Sequence, residues 1–130
     1  ARYSDVPFEP AAKFPMSAVS AARAYYWLHG QDCQKARQFA HAAFRAYWVD
    51  GRDISDLAVV QEIAAGIGID GTALAAGIAT PEIKERLKVE TDTALAKGMC
   101  GAPYFVVDNE PFWGADRLPQ IEKWLQTGGF

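Results

Sequence analysis

The segment 101–118 constrains the fold of this chain more than any other, because it predicts two strands, a tight turn and a helix start in close succession. Residues 104–107 are apolar on both faces, which indicates a short buried strand. Asp108 and Asn109 supply turn chemistry, and residues 110–113 return as the second strand of a hairpin. The sequence therefore predicts a ββα unit in this segment.

The loop before the first predicted strand is a candidate ligand-binding edge. Ala102 precedes Pro103, and the residue before a proline avoids the α region, while an X-Pro bond is the only common place for a cis peptide. Pro103 has no N–H, so it fits only at a sheet edge or a strand start. The backbone N–H and C=O of Ala102 would then be open to an extended ligand, which could pair with them as an added strand does.

The predicted helix start offers groups of both charges. Gly114 and Ala115 end the second strand, and Asp116 stands where an N-cap is wanted. Pro119, at the third helical position, gives Asp116 no N–H to bind, so the carboxylate keeps acceptor capacity for a ligand ammonium. The N–H groups of the first turn and the helix dipole would suit a ligand carboxylate. These groups could hold an amino-acid zwitterion, or the helix could be an ordinary capped one with Arg117 paired to a surface acid.

Five helices are predicted before this unit, from apolar residues at helical spacing. The first has Ser17 as its cap and stops at Gly30. The last opens with Thr80 as cap and Pro81 at the first position, where a proline is tolerated, and runs to Gly98. The other three cover residues 36–47, 57–67 and 70–78.

Composition and charge argue against several classes of protein. The chain has 130 residues, of which 50% are hydrophobic, enough for one domain with a sizeable core. The net charge is −3 with mixed signs and no basic stripe, so we expect no nucleic-acid partner. No apolar run approaches the roughly 18 residues that cross a membrane, and no secretory signal pattern is visible. We expect no membrane partner and a cytoplasmic location.

The cysteines and histidines predict no metal site. Cys33 and Cys100 lie far apart without a C-x-x-C motif, so neither a disulfide framework nor a zinc site is indicated. Cys100 precedes Ala102 by two residues, where its thiol could face a ligand, but burial as a small hydrophobic residue is the favoured interpretation. His29 and His41 lack the partner spacing of a metal or catalytic site.

Aromatic residues at helical spacing could line a pocket for a planar aromatic substrate or fill the core. They are Tyr25, Tyr26, Trp27, Tyr47 and Trp48. The core is the favoured interpretation for Tyr25 and Tyr47, which lie on apolar stripes. Trp113, beside the candidate edge, and Met16 are candidate substrate-binding residues.

Two motifs resemble the 2-hydroxychromene-2-carboxylate isomerases, which are related to the kappa-class glutathione transferases within the DsbA-like branch of the thioredoxin fold. They are FRAYWVDGRDI at residues 44–54, and a signature made of GAP at 101–103 and FWGADRL at 112–118. The resemblance covers nearly the whole chain and implies an α/β, thioredoxin-like fold with a helical insertion domain. Residues 1–98 would form that domain, with an extended N-terminal entry, and residues 99–130 the C-terminal ββα half of the thioredoxin-like domain.

The resemblance implies an enzyme that uses glutathione as its cofactor. It would interconvert 2-hydroxychromene-2-carboxylate, a small aromatic carboxylate, and trans-o-hydroxybenzylidenepyruvate in naphthalene-type catabolism. The implied cofactor-binding residues are Ala102, Pro103, Gly114, Ala115, Asp116 and Arg117. The first two, joined by a cis bond, would meet the cysteinyl part of glutathione, and the other four its γ-glutamyl end. The glutathione thiol would add to the substrate and leave again, so it is not consumed. The resemblance also implies a homodimer.

One departure from the family concerns the start of the chain. Family members open with a strand, a helix and a strand whose first loop carries a serine that activates the glutathione thiol. This opening is missing, and the chain begins at Ala1 without methionine. We therefore expect a C-terminal fragment of a longer enzyme and assign no catalytic residue.

Two alternatives to the isomerase stay open. A DsbA-like thiol-disulfide oxidoreductase would need a C-x-x-C upstream, and a non-catalytic fragment or partner-binding helical domain would keep the fold without a complete site. Asp116 and Arg117 favour the isomerase over the oxidoreductase, because disulfide exchange has no need to hold a γ-glutamyl group.

Overall fold

The computed structural model describes residues 5–9 and 13–130. The elements of the described chain are, in order, α1 (Val19–His29), α2 (Cys33–Trp48), α3 (Leu57–Gly66), α4 (Gly71–Ala79), α5 (Pro81–Ala96), β1 (Tyr104–Val107), β2 (Glu110–Trp113), a 3₁₀ turn (Ala115–Arg117) and α6 (Leu118–Thr127). This order confirms the predicted helical block followed by a ββα unit.

The chain divides into two compact units, Ala1–Leu87 and Lys88–Phe130, which we call the helical unit and the C-terminal unit. The division lies within α5, whereas the sequence placed the domain boundary after residue 98. The domain assignment therefore stays a prediction. Of the predicted extended entry, Pro7 is exposed and outside any regular element, and Pro10 lies outside the described residues.

Aspartate side chains cap three successive helices of the helical unit. Asp32, Asp56 and Asp70 precede α2, α3 and α4, and each accepts a hydrogen bond of 2.8 to 2.9 Å from a first-turn N–H. The cap predicted at Ser17 is wrong, because α1 starts two residues later. Its N-cap position is Ala18, which has no side-chain hydrogen bond to offer.

The start of α5 is the one predicted from the sequence. Pro81 is its first residue, and the Thr80 hydroxyl accepts a hydrogen bond of 3.4 Å from the Ile83 N–H. The helix ends at Ala96, two residues before Gly98, whose φ of 83° is one that glycine adopts without strain. No helix among residues 5–9 and 13–130 is both long and apolar enough to span a membrane.

The hydrophobic core lies in the helical unit. A single cluster of 14 buried residues includes Leu28 of α1, Phe39 of α2 and Leu74 of α4. Gly77 of α4 lies against the indole of Trp27, so that a Cβ added at this position would collide with the ring. The missing side chain is what allows α4 to approach the α1 tryptophan.

The aromatic residues that could either line a pocket or fill the core lie in different environments. Tyr47 is 4% exposed and belongs to the core, as favoured by the sequence. Trp48 is at the surface, where its ring stacks on Phe8 with centroids 5.8 Å apart. Tyr25 is half-buried and packs against the core cluster, and it also lines a cavity between α1 and α2.

The C-terminal unit contains the end of α5, a two-stranded antiparallel hairpin, the 3₁₀ turn and α6. Asp108 and Asn109 have φ values of 51° and 67°, and two central residues with positive φ make the type I′ turn that short hairpins prefer. The Trp124 indole of α6 donates a hydrogen bond of 3.0 Å to the Asp108 carboxylate. Its ring also meets Phe112 edge to face, at 5.8 Å and 76°. These two contacts fix α6 on the hairpin.

Candidate functional site

The candidate edge joins the loop before β1 to the turn after β2; we use this name for residues 101–103 and 113–117. Tyr104 pairs with Trp113 in the hairpin, so Pro103 faces Gly114 one step further out. The Gly114 N–H donates a hydrogen bond of 2.9 Å to the Pro103 carbonyl. Pro103 has no N–H to donate in return, so the Gly114 carbonyl accepts from the Arg117 N–H instead, at 3.2 Å. The proline thereby ends the ladder and frees the carbonyl that starts the 3₁₀ turn.

The backbone before β1 has the form that the resemblance implied. The Ala102–Pro103 peptide bond is cis, and both residues are exposed. Among the residues that the structure describes, neither the N–H nor the carbonyl of Ala102 has a backbone partner. Both groups are therefore available for an extended ligand to pair with.

Trp113 forms one wall of the candidate edge. Its side chain is exposed, with 59% of its surface accessible, and its indole lies close to Gly101. A Cβ added at Gly101 would lie 2.6 Å from the indole nitrogen, a distance that real contacts do not allow. Gly101 is therefore what lets the loop pass beneath the ring. The substrate-binding role of Trp113 stays a prediction.

The prediction that Asp116 caps α6 is wrong. The helix begins at Leu118 without a side-chain cap, and Asp116 lies in the preceding 3₁₀ turn, so Pro119 is the second helical residue and not the third. The Asp116 carboxylate folds back over Gly114, where an added Cβ would collide with Oδ1. Because Gly114 also has a φ of 108°, the position requires glycine for both space and backbone. The 3₁₀ turn, which sequence periodicity does not reveal, displaces the helix start.

The two charged residues of the candidate edge pair with each other. Arg117 Nε lies 3.6 Å from Asp116 Oδ2, and the two side chains are 46% and 75% exposed. The alternative was a capped helix with Arg117 paired to a surface acid. The structure shows the pairing, with the neighbouring Asp116 as the acid, but not the cap. An exposed ion pair is worth at most about 1 kcal/mol. A zwitterionic ligand could replace it, with its ammonium on the carboxylate and its carboxylate on the guanidinium.

The N–H groups available to a ligand carboxylate differ from those expected. Arg117 and Leu118 donate to carbonyls of the same turn, and Pro119 has no N–H. Within the described chain, the N–H groups of Ala115 and Asp116 have no acceptor. The donors of this site therefore belong to the 3₁₀ turn and not to the first turn of α6.

The cysteines differ from expectation as well. The prediction that Cys100 is buried is wrong, because its side chain is exposed in the loop before the candidate edge. Cys33 is exposed in the helical unit, and its Sγ lies 3.7 Å from Nε2 of His29. Sequence spacing missed this contact because it spans the junction of α1 and α2. Across residues 5–9 and 13–130, no three His, Cys, Asp or Glu side chains come together as a metal site needs.

The structure brings seven of the eight predicted site residues into one unit, and Met16 is the exception. Met16 lies in the helical unit, where it is half-buried and packs against the core cluster. Its substrate-binding role stays a prediction. The pairing of Pro103 with Gly114 could have been found from the sequence, because a two-residue turn at 108–109 sets the register of the hairpin. The contact between Gly101 and Trp113 had no such signal.

Comparison with known proteins identifies the family. Residues 1–126 match the DSBA-like thioredoxin domain. The chain belongs to this family. It has a DsbA-like thioredoxin fold that is mostly helical, with a small two-stranded sheet and a helix in the C-terminal unit, which confirms the predicted fold class.

Two relatives carry the name suggested by the sequence motifs. Over 121 residues the chain is 33% identical to a curated 2-hydroxychromene-2-carboxylate isomerase from Sphingobium xenophagum, a match that covers 93% of this chain and 60% of that protein. A solved structure of a 2-hydroxychromene-2-carboxylate isomerase matches with a TM-score of 0.83 at 21% identity, over 97% of this chain and 60% of that one. These findings confirm the resemblance. The chain thus spans 60% of the length of the curated isomerase it matches.

A third relative has a different activity in its name. The cytosolic disulfide reductase DsbM from Pseudomonas aeruginosa, solved with GSH, matches with a TM-score of 0.64 at 22% identity. The match covers 85% of this chain and 57% of that one. At such low identity, likeness to a solved structure shows the shared fold alone.

Proposed function

We propose that this protein is a glutathione-dependent isomerase of the DsbA-like family that interconverts 2-hydroxychromene-2-carboxylate and trans-o-hydroxybenzylidenepyruvate in aromatic catabolism. The identity of 33% with a curated isomerase of that name supports the reaction. Because the chain spans 60% of that relative, both the enzymatic activity and its glutathione dependence belong to the proposal.

One observation carries the proposal: the hydrogen bond of 2.9 Å between the Gly114 N–H and the Pro103 carbonyl. It joins two recognition elements of different kinds into one edge. On one side lies the open backbone of Ala102, and on the other the Asp116–Arg117 pair. Glutathione needs both kinds, because it has a peptide backbone in its middle and a zwitterionic γ-glutamyl group at one end.

The groups of this chain fit glutathione in charge and in hydrogen bonding. Ala102 would pair with the cysteinyl backbone, with Pro103 holding the loop. The Asp116 carboxylate would accept from the γ-glutamyl ammonium, while Arg117 and the N–H groups of the 3₁₀ turn would donate to its carboxylate. Trp113 would offer its exposed indole to the substrate ring. When bound, glutathione supplies the thiol nucleophile, and no residue of this chain is assigned a catalytic role.

The partners and the location are proposed with the function. We propose a small aromatic carboxylate as substrate, a homodimer as the assembly, and the cytoplasm as the location. The cytosolic reductase DsbM, which shares the fold, supports that location by its description.

The test measures binding of three ligands to the chain by calorimetry: glutathione, S-methylglutathione and the dipeptide cysteinylglycine, which lacks the γ-glutamyl group. We expect the first two to bind and the third to bind much more weakly. Asp116→Asn removes the charge that would pair with the γ-glutamyl ammonium. The side chain is 75% exposed, and an exposed ion pair is worth at most about 1 kcal/mol, so glutathione should bind up to about 5-fold more weakly.

Glu122→Gln is the matched control, because Glu122 is an exposed carboxylate on α6 outside the candidate edge. It should leave the affinity for glutathione unchanged. Equal binding of glutathione to wild type and Asp116→Asn, or equal binding of cysteinylglycine and glutathione, would refute this site. Conversion of the chromene carboxylate, followed by absorbance with and without glutathione, tests the reaction separately.

A second candidate function is thiol-disulfide exchange, which the exposure of Cys100 beside the candidate edge favours. An exposed thiolate next to this backbone could attack a bound disulfide compound, which forms a mixed disulfide with Cys100 and releases the other half of the compound as a thiol. If Cys100 takes part in exchange, Cys100→Ser should abolish formation of a mixed disulfide between the chain and glutathione disulfide. If isomerisation is the function, the same variant should keep the glutathione-dependent conversion of the chromene carboxylate.

A further inference from the structure

The helical unit contains an apolar cavity of about 380 Å³ between α1 and α2. Its floor is buried, its walls are half-buried, and its mouth is exposed at Ala18 and Phe44. Among the residues that the structure describes, eleven line it: Ala18, Ala21, Ala22, Tyr25, Tyr26, Phe39, Ala40, Ala43, Phe44, Ile54 and Leu87. All of them belong to the helical unit, and none is part of the candidate edge.

Small residues on both helices create this cavity. Ala21 and Ala22 on α1 face the space together with Ala40 and Ala43 on α2. Larger side chains at these positions would fill the gap, because neighbouring helices otherwise interdigitate their side chains. The hollow therefore follows from the choice of alanine on both sides of the same helix pair.

The lining restricts the chemistry of an occupant. The only polar side-chain atoms that the eleven residues contribute are the hydroxyls of Tyr25 and Tyr26. None of the eleven side chains carries a charge, so a charged group would be costly to bury among them. A hydroxyl or carbonyl oxygen could hydrogen-bond to the Tyr25 phenol, so the occupant is an uncharged molecule with few polar atoms.

The size and the walls point to an aromatic ring system. An apolar cavity of about 150 Å³ is enough to hold one benzene molecule, so the present cavity has room for two fused rings. Four aromatic side chains line it: Tyr25, Tyr26, Phe39 and Phe44. The rings of Tyr25 and Tyr26 pack edge to face, with centroids 5.3 Å apart and an interplanar angle of 80°. Aromatic rings favour this arrangement, so a bound ring could pack against the tyrosines in the same way.

We propose that this cavity is a binding site for an uncharged planar aromatic molecule of one or two rings. The molecule inserts its ring between α1 and α2, against the alanine residues, and places a hydroxyl or carbonyl oxygen beside the Tyr25 hydroxyl. The site does not depend on the glutathione site or on the isomerase function, because it is built from residues of the helical unit.

The test uses 2-naphthol as the probe, titrated into the full 130-residue chain by calorimetry and by amide NMR shifts. We expect saturable binding with shifts in α1 and α2. 1-Octanol, a flexible alcohol without a ring, should bind about tenfold more weakly, since it lacks the ring contacts. Absence of saturable binding by 2-naphthol, or equal affinity for octanol, would overturn the proposal.

Two filling variants locate the site. Ala22→Phe and Ala40→Leu place bulk on half-buried walls, and each should weaken 2-naphthol binding at least tenfold. Using both keeps the test valid if one of them fails to fold, which circular dichroism will show. Ala76→Phe is the control, because Ala76 is exposed on α4 and does not line the cavity, so it should bind as wild type does. Wild-type affinity in a folded filling variant would refute the proposed site.

Discussion

The helical unit and the C-terminal unit are held together in different ways. Of the 16 buried hydrophobic residues among those the structure describes, 14 form the core cluster of the helical unit. The C-terminal unit has only Phe112 and Ile121, and α5, which runs from one unit into the other, has no buried residue. Hydrophobic burial therefore dominates the first unit, while turn geometry and a few directed hydrogen bonds shape the second.

This difference matters for the candidate edge, which lies on the thinly packed unit. Its geometry depends on the ladder bond between Gly114 and Pro103 and on the contacts of Trp124 with the hairpin. Few of these contacts are buried, so the edge should open locally at a lower free energy than the helical core. The main hydrophobic core and the candidate edge thus lie in different units of the chain.

The largest expected effect on the free energy of unfolding comes from replacing a buried phenylalanine by alanine, and the same change can be made in each unit. Phe39→Ala removes a side chain that is 1% exposed within the main core, so it should cost about 3–5 kcal/mol of unfolding free energy. Phe112→Ala removes one that is 6% exposed in a much smaller cluster, where neighbours can collapse into the space, so it should cost less. Urea denaturation followed by circular dichroism measures both costs.

Hydrogen exchange shows which unit each substitution destabilises. Phe112→Ala should accelerate exchange in the C-terminal unit and leave amides of α1 and α2 protected, whereas Phe39→Ala should weaken protection throughout the helical unit. An equal loss of protection in both units for both variants would show that the chain unfolds as one cooperative body. That result would contradict the proposed difference in local stability between the two units.

A smaller effect tests close packing within the helical unit. Gly77→Ala brings a Cβ into collision with the Trp27 indole, and such overpacking costs roughly 1–3 kcal/mol. Gly66→Ala is the matched control, because a Cβ there meets nothing within 4 Å, so it should be neutral or stabilise by up to about 1 kcal/mol. Thermal unfolding compares the two, and equal melting temperatures would contradict the tight contact.

The smallest effect concerns an exposed carboxylate of the helical unit. The Ser55 hydroxyl and the Lys13 ammonium donate hydrogen bonds of 2.5 and 2.9 Å to Asp53, and these bonds lower its pKa from 3.8 to about 2. A carboxylate whose pKa is lowered by folding stabilises the folded state at pH values above its unfolded-state pKa. This contribution is lost as the pH falls through its folded-state pKa. The difference in unfolding free energy between wild type and Asp53→Asn should therefore stay constant from pH 7 to about 5 and shrink between about pH 4 and 2.

Chemical denaturation across that pH range measures the difference. Ser55→Ala removes the leading cause of the shift and should reproduce part of the effect. If the difference in unfolding free energy does not change between pH 4 and 2, folding does not lower the pKa of Asp53.

The sequence predicted features that depend on neighbouring residues. Thr80 and Pro81 start α5, and Asp108 and Asn109 make the hairpin turn, because capping and positive φ are decided within a few residues. The motifs around residues 101–118 led to the family, and most of the candidate edge followed from the same segment. The Asp116 cap failed because a 3₁₀ turn and a helix start have the same local appearance.

By itself, the sequence determined the order of helices and strands and the two-residue hairpin turn, both of which arise from short-range backbone and side-chain chemistry. Only the tertiary structure decided that Tyr25 and Tyr26 line a cavity, that Gly77 makes room for Trp27, and that Cys100 is exposed. Burial depends on which distant residues come to lie beside a side chain, and helical periodicity contains no information about those neighbours.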